Sequence, residues 1–177
     1  RSLPVLAAAS FRGLFVSLLL SLLLGPAAAQ AAPKLEDYEL GNYPIGGDFT
    51  LTTAGGQRTG PADWRGKVVM LFFGYTHCPD ICPLTLVDFK KALIELGPSA
   101  EQVQGVFISV DPERDTPEIA GKYASYFHPN ILGLSGTAEE IATVASQYSA
   151  VYKKREVGSQ AGYLVGHSGF FYLLDPA

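Results

Sequence analysis

Residues 67–83 read Lys67-Val68-Val69-Met70-Leu71-Phe72-Phe73-Gly74-Tyr75-Thr76-His77-Cys78-Pro79-Asp80-Ile81-Cys82-Pro83. From Val68 to Phe73 every position is apolar, the pattern of a strand buried on both faces in the middle of a sheet. Beyond it the period changes. Cys82, Leu86, Phe89, Leu93 and Leu96 recur at steps of four and three, which is one face of a helix. Both cysteines of the chain therefore fall where a strand turns into a helix, Cys78 in the loop and Cys82 in or near the first helical turn. If that turn is wound, the spacing of four stacks the sulfurs on one side, and the backbone N–H groups of the helix start favour thiolate over thiol. Two converging thiolates support two kinds of chemistry, a disulfide or the holding of a soft metal such as Cu(I).

Before this stretch, Gly46 to Gln57 reads as a strand, with Phe49 and Leu51 alternating against Thr50 and Thr52, closed by a Gly55-Gly56 turn. After it, Gly97-Pro98 stops the helix, and Val106 to Val110 is a second buried strand. Thr116 as N-cap and Pro117 at the first helical position open a helix through about Phe127. Ile131 to Leu134 is a third strand. Thr137-Ala138-Glu139-Glu140 is a capping box that opens a helix through Tyr148, with Ile141, Val144, Ala145 and Tyr148 facing inward. Strands alternating with helices predict parallel strands joined by crossover helices, an α/β sandwich around one sheet. Tyr163 to Val165 and Gly169 to Leu174 have no helix between them and are expected to form an antiparallel hairpin.

Leu14 to Leu24 is Leu-rich and uncharged, roughly 11 residues, a length that suits a signal-peptide core. Small residues around Ala29-Gln30-Ala31 offer a cleavage site. The rival reading is an uncleaved anchor from Gly13 to about Ala32. Residues 1–31 are thus a signal peptide or membrane anchor, 32–45 a polar linker and 46–177 the folded domain, on the far side of a membrane where a cysteine pair can oxidise. The chain begins at Arg1 and stops just after an apolar strand, so it reads as incomplete at both ends. It carries 13 Lys+Arg against 17 Asp+Glu; without the two leader arginines, 11 basic residues face 17 acidic ones. An acidic domain with one basic run, Lys153-Lys154-Arg155, argues against a nucleic-acid partner. That run is expected to be a solvated strand or loop end.

Three segments together resemble the Sco/SenC family: Gly74 to Pro83, the loop Asp111-Pro112-Glu113-Arg114-Asp115-Thr116-Pro117, and the late His167-Ser168 with Tyr172-Leu173 and Asp175-Pro176. Members are membrane-tethered or periplasmic copper chaperones of cytochrome c oxidase assembly. The resemblance runs from about Phe49 to Pro176. It implies a thioredoxin-like three-layer α/β fold, with a central mixed sheet, helices on both faces and an N-terminal β-hairpin extension. It implies copper held by Cys78, Cys82 and His167. It implies delivery to the dinuclear copper site of cytochrome c oxidase subunit II, or reduction of that site's cysteines with Cys78 and Cys82 as the redox-active pair. The partners implied are subunit II and a periplasmic thiol reductant or another copper donor. The place implied is the periplasm, free or anchored in the inner membrane. The sequence departs from the pattern at Gly166, where members commonly carry Asp, and it stops where they continue with a strand and a C-terminal helix.

Other chemistries meet specific objections in the residues. A structural disulfide between Cys78 and Cys82 closes too small a loop to stabilise a fold much. Structural zinc takes four ligands, and the sequence offers three. Dithiol oxidoreductases typically space their cysteines Cys-x-x-Cys, one residue closer. A peroxidase acting through Cys78 leaves Cys82 and His167 without a shared purpose. His77 is expected to hydrogen-bond in the loop, His128 to cap a helix end, and Asp80 to cap the helix that carries Cys82. Asp111 and Asp115 either tune the site or serve turn and cap chemistry.

Overall fold

The computed structural model describes residues 45–158 and 162–176. The leader and nearly all of the linker lie outside the described residues. No helix among the described residues is long and apolar enough to cross a membrane.

Among the described residues eight strands are formed: β1 Leu51–Thr53, β2 Arg58–Thr59, β3 Val68–Gly74, β4 Val103–Ser109, β5 Ile131–Ser135, β6 Tyr152–Glu156, β7 Tyr163–His167 and β8 Phe171–Leu174. Three α-helices among the described residues join them: α1 Ile81–Leu96, α2 Pro117–Phe127 and α3 Ala138–Gln147. The main sheet runs β2-β1-β5-β4-β3-β8, with β3, β4 and β5 parallel and β1, β2 and β8 antiparallel to their neighbours. Side chains alternate across it, so Phe72 and Phe73 of β3 face opposite ways. Phe72 meets Phe89 of α1 and Phe107 of β4, and Phe107 meets Tyr123 of α2. Phe73 meets Tyr148 at the end of α3 and Tyr172 of β8. Helices therefore cover both faces, α1 and α2 on one and α3 on the other. The expected mixed α/β sandwich is observed. Phe72, Phe73, Phe107, Leu71 and Leu86 are fully buried, each contributing on the order of 1.5–3 kcal/mol of transfer free energy.

Local signals acted as their chemistry requires. Thr116 accepts from the Ile119 N–H at the start of α2, and Thr137 and Glu140 close the capping box of α3. Gly97 ends α1 with φ +53°, a conformation that costs glycine little. Gly55 and Gly56, both with positive φ, turn β1 into β2, and the two strands pair as an antiparallel hairpin.

Two expectations are corrected. The final strands do not pair with each other. β7 pairs with the basic strand β6 in a separate two-stranded ribbon, and β8 pairs antiparallel with the free edge of β3. Pairing with β3 lets β8 place Tyr172 on the core, which a hairpin with the solvated ribbon does not offer. Leu96, expected on the inward face of α1, is 42% exposed at the last residue of the helix. The run Lys153-Lys154-Arg155 is an exposed strand, as expected.

Candidate metal centre

The cysteine loop leaves the C-terminal end of β3, where ligands converge in open parallel sheets. Cys78 lies in the loop and is partly exposed, and its N–H donates to the Tyr75 carbonyl. Cys82 is the second residue of α1 and fully buried. Pro83 follows it, tolerated because first-turn N–H groups have no helical acceptor. Asp80 occupies the N-cap position but makes no side-chain capping bond, which corrects the capping role expected of it. The Cys82 sulfur sits against Gly74, where a Cβ would come within 2.8 Å of it. No sequence argument had singled out Gly74, although a glycine closing an apolar strand before a cysteine loop is a signal of close approach.

His167 ends β7. Its imidazole packs edge-on against Phe72 and Tyr75, with ring centroids 5.8 Å away in each case. Its Nδ1 lies 3.0 Å from the Ser168 carbonyl and its Nε2 3.2 Å from the Cys82 sulfur. A carbonyl only accepts, so Nδ1 carries the proton and donates, and the Nε2 lone pair points at the sulfurs. The Cys82 S–H donates to it. Ligand atoms of Cys78, Cys82 and His167 all lie within 4.8 Å of one another, the cluster of this kind found among the described residues. Two soft sulfurs and one imidazole suit copper in either oxidation state, and three donors fall short of structural zinc.

Burial sets the protonation states. It pushes the Cys82 thiol up, with nearby Cys78 adding to the effect, and holds the His167 imidazole below the ordinary histidine range, partly offset by the Ser168 carbonyl. The imidazole is therefore neutral at neutral pH and free to coordinate, while the Cys82 proton must leave when a metal enters.

The Asp111–Pro117 loop frames the site. Asp115 is fully buried and accepts from the Thr76 N–H at 2.8 Å, the Thr76 hydroxyl at 2.6 Å and the Ser109 hydroxyl at 2.6 Å. It thereby ties the cysteine loop to the end of β4. Asp111, also fully buried, accepts from Arg114 Nε and from the Tyr163 hydroxyl of β7. Each acid thus fastens a different segment that carries a candidate donor, Asp115 the cysteine loop and Asp111 β7. The roles of Thr76, Ser109, Arg114 and Tyr163 were not visible in the sequence, because their partners are distant along the chain. His77 stays outside the cluster, more than half exposed, with Nδ1 on the Thr76 hydroxyl. His128 caps α2 through its N–H and accepts from the Asn130 N–H. At Gly166 a Cβ would meet only the Lys153 carbonyl, at 3.8 Å, so a larger residue finds room there.

A family model described as SCO1/SenC matches residues 38–177. The mitochondrial protein SCO2 of Saccharomyces cerevisiae is 41% identical over 138 residues, 77% of this chain and 46% of that protein. Among solved structures, Bradyrhizobium japonicum ScoI with copper bound shares 42% identity at a TM-score of 0.70, covering 75% of this chain and 83% of that one. Arabidopsis thaliana ScoI with copper bound shares 44% identity, also at 0.70, covering 75% and 82%. The chain spans about half the length of the curated relatives it matches. The family model thus matches most of the chain, and the chain belongs to the SCO1/SenC family.

Proposed function

We propose that this chain is a copper metallochaperone that holds copper through Cys78, Cys82 and His167 and delivers it to the dinuclear copper site of cytochrome c oxidase subunit II. The observation that carries the reading is the convergence of three donor atoms, one of them an imidazole nitrogen whose other ring nitrogen is already committed to a carbonyl. Residues 1–31 act as a signal peptide or anchor that places the domain on the periplasmic side. Residues 46–177 do the carrying.

Copper is the cargo. A Cu(I) ion takes the position of the shared Cys82 proton, and thiol protons are released as it binds. The dithiol must be reduced first; an oxidised pair needs two electrons and two protons from an external thiol donor before loading. Three protein ligands leave coordination open for an acceptor thiolate. Cys78, the more exposed sulfur, is the first to be exchanged, and buried Cys82 is the last to let go. Thiol–disulfide exchange as the main task finds less support. A buried Cys82 thiol with a raised pKa is a poor leaving group, and it is screened from a partner's sulfur.

His167→Ala tests the ligand set. Reduced variant protein is expected to lose Cu(II) affinity by roughly 100-fold or more and Cu(I) affinity by less, since Cu(I) leans on the thiolates. Dithiol exchange with a small disulfide should persist. Unchanged copper binding with collapsed exchange would favour the reductase reading instead.

The pH dependence follows from the same groups. Raising pH removes the proton that competes at Cys82, so apparent Cu(I) affinity rises by about tenfold or more per pH unit around neutrality. His167 competes only below its depressed pKa, and so adds nothing to the slope above the ordinary histidine value of about 6.5. A flat profile from pH 6.5 to 8, measured by competition with a pH-calibrated chelator, contradicts the buried-thiol account.

A further inference from the structure

The ribbon that carries His167 is not part of the main sheet. In β7, Tyr163, Val165 and His167 point to one face, because side chains alternate along a strand. Val165 is buried in the core, His167 reaches the sulfurs, and Tyr163 reaches the Asp111–Pro117 loop. The last contact is dense. The Tyr163 hydroxyl donates to Asp111 at 2.7 Å, Arg114 Nη1 donates to the Tyr163 carbonyl at 3.1 Å, and the Arg114 guanidinium stacks 3.7 Å from the Tyr163 ring centre. Arg114 in turn donates to the other oxygen of Asp111. Lys154 Nζ of β6 lies 4.8 Å from the centre of the same ring and pairs with Glu113 of the same loop. At the opposite end the Ser168 N–H donates to the Val151 carbonyl, the Val151 N–H donates to the Ser168 hydroxyl, and Ser168 also hydrogen-bonds Tyr172 of β8.

We propose that Asp111, Arg114 and Tyr163 form a latch that fixes where the His167 imidazole stands relative to the two sulfurs, so that Asp111 and Tyr163 are positioning residues for metal retention. Val165 is the fulcrum between them: freeing the Tyr163 end lets the strand tilt, and the imidazole at the other end moves away from Cys82. Because Asp115 of the same short loop holds the cysteine segment through Thr76, one loop sets both halves of the site, and the latch governs only the histidine half. This inference rests on His167 being a copper ligand.

Its test uses Tyr163→Phe, which keeps the ring and its stacking and removes one hydroxyl, alongside Asp111→Asn, His167→Ala and the double variant Tyr163→Phe/His167→Ala. Each reduced protein is loaded with Cu(I), and release to a chromophoric chelator is timed. The imidazole nitrogen coupling of the Cu(II) form is read by electron paramagnetic resonance. The latch predicts about tenfold faster release for Tyr163→Phe and for Asp111→Asn, with weakened nitrogen coupling. It further predicts that the double variant releases copper no faster than His167→Ala alone, since a latch has nothing to position once the imidazole is gone. Additive effects in the double variant, or unchanged release and coupling in Tyr163→Phe, overturn it, whatever happens to the melting temperature. If His167→Ala itself leaves binding unchanged, the three-ligand reading fails and the latch falls with it; if His167→Ala weakens binding and Tyr163→Phe does not, the latch alone fails.

Discussion

Cys82→Ser is expected to abolish tight Cu(I) binding, lowering affinity by well over 100-fold, while the domain still folds. The size follows from the chemistry of the donors. Loss of an outer hydrogen-bond partner of a ligand already costs about 10–100-fold, and loss of a soft thiolate from a soft cation costs more. Serine is close to cysteine in shape, and its hydroxyl can donate to the same His167 Nε2 that Cys82 now faces at 3.2 Å. The buried polar atom therefore keeps a partner, and the folding penalty stays near the 1–3 kcal/mol typical of altered buried polar groups. Cys78→Ser should also lose Cu(I), but at less structural cost because Cys78 is only partly buried. The visible thiolate-to-copper charge-transfer band of the Cu(II) form should weaken or shift in each, since one thiolate remains. Retained Cu(I) affinity in Cys82→Ser, measured by chelator competition under reducing conditions, would remove the central sulfur from the account and with it the shared-proton picture of loading.

Local signals were legible in the sequence, and distant ones were not. The strand-to-helix switch at Cys78 and Cys82, the stop at Gly97, the Thr116 cap and the Thr137–Glu140 box each depend on residues within a turn of one another, and each formed as read. Strand pairing at the C-terminal end failed because it depends on competition. β8 had two possible neighbours, and the free edge of β3 won by offering Tyr172 a place against Phe73 and Tyr148. The proposed ligand His167 is legible in the sequence only through family resemblance. No local rule says that a histidine after a glycine in a solvated ribbon will fold back onto a helix start. What places it is the set of contacts from Tyr75, Phe72 and the Asp111 loop, all far away in the chain.

Gly74→Ala is the substitution expected to damage stability and site together. A Cβ on Gly74 would lie 2.8 Å from the Cys82 sulfur, 2.8 Å from the Phe107 ring and 2.9 Å from the Phe72 ring. Real Cβ atoms do not approach that closely, so something must move. Phe72 and Phe107 are both fully buried between the sheet and the helices, with no free volume to retreat into. The Cys82 sulfur, equally buried, is pressed by the same Cβ and must shift with them. Overpacking of this kind costs about 1–3 kcal/mol, which for a domain of this size lowers the melting temperature by roughly 3–12 °C. Displacing the sulfur from His167 should also weaken Cu(I) binding by at least about tenfold, as misplacement of a ligand does. Gly166→Ala is the matched control, because its Cβ meets only one carbonyl at 3.8 Å and touches no ligand atom. Equal behaviour of the two variants in thermal melts and copper titrations would mean that the close seat of Cys82 against β3 is not what fixes the sulfur.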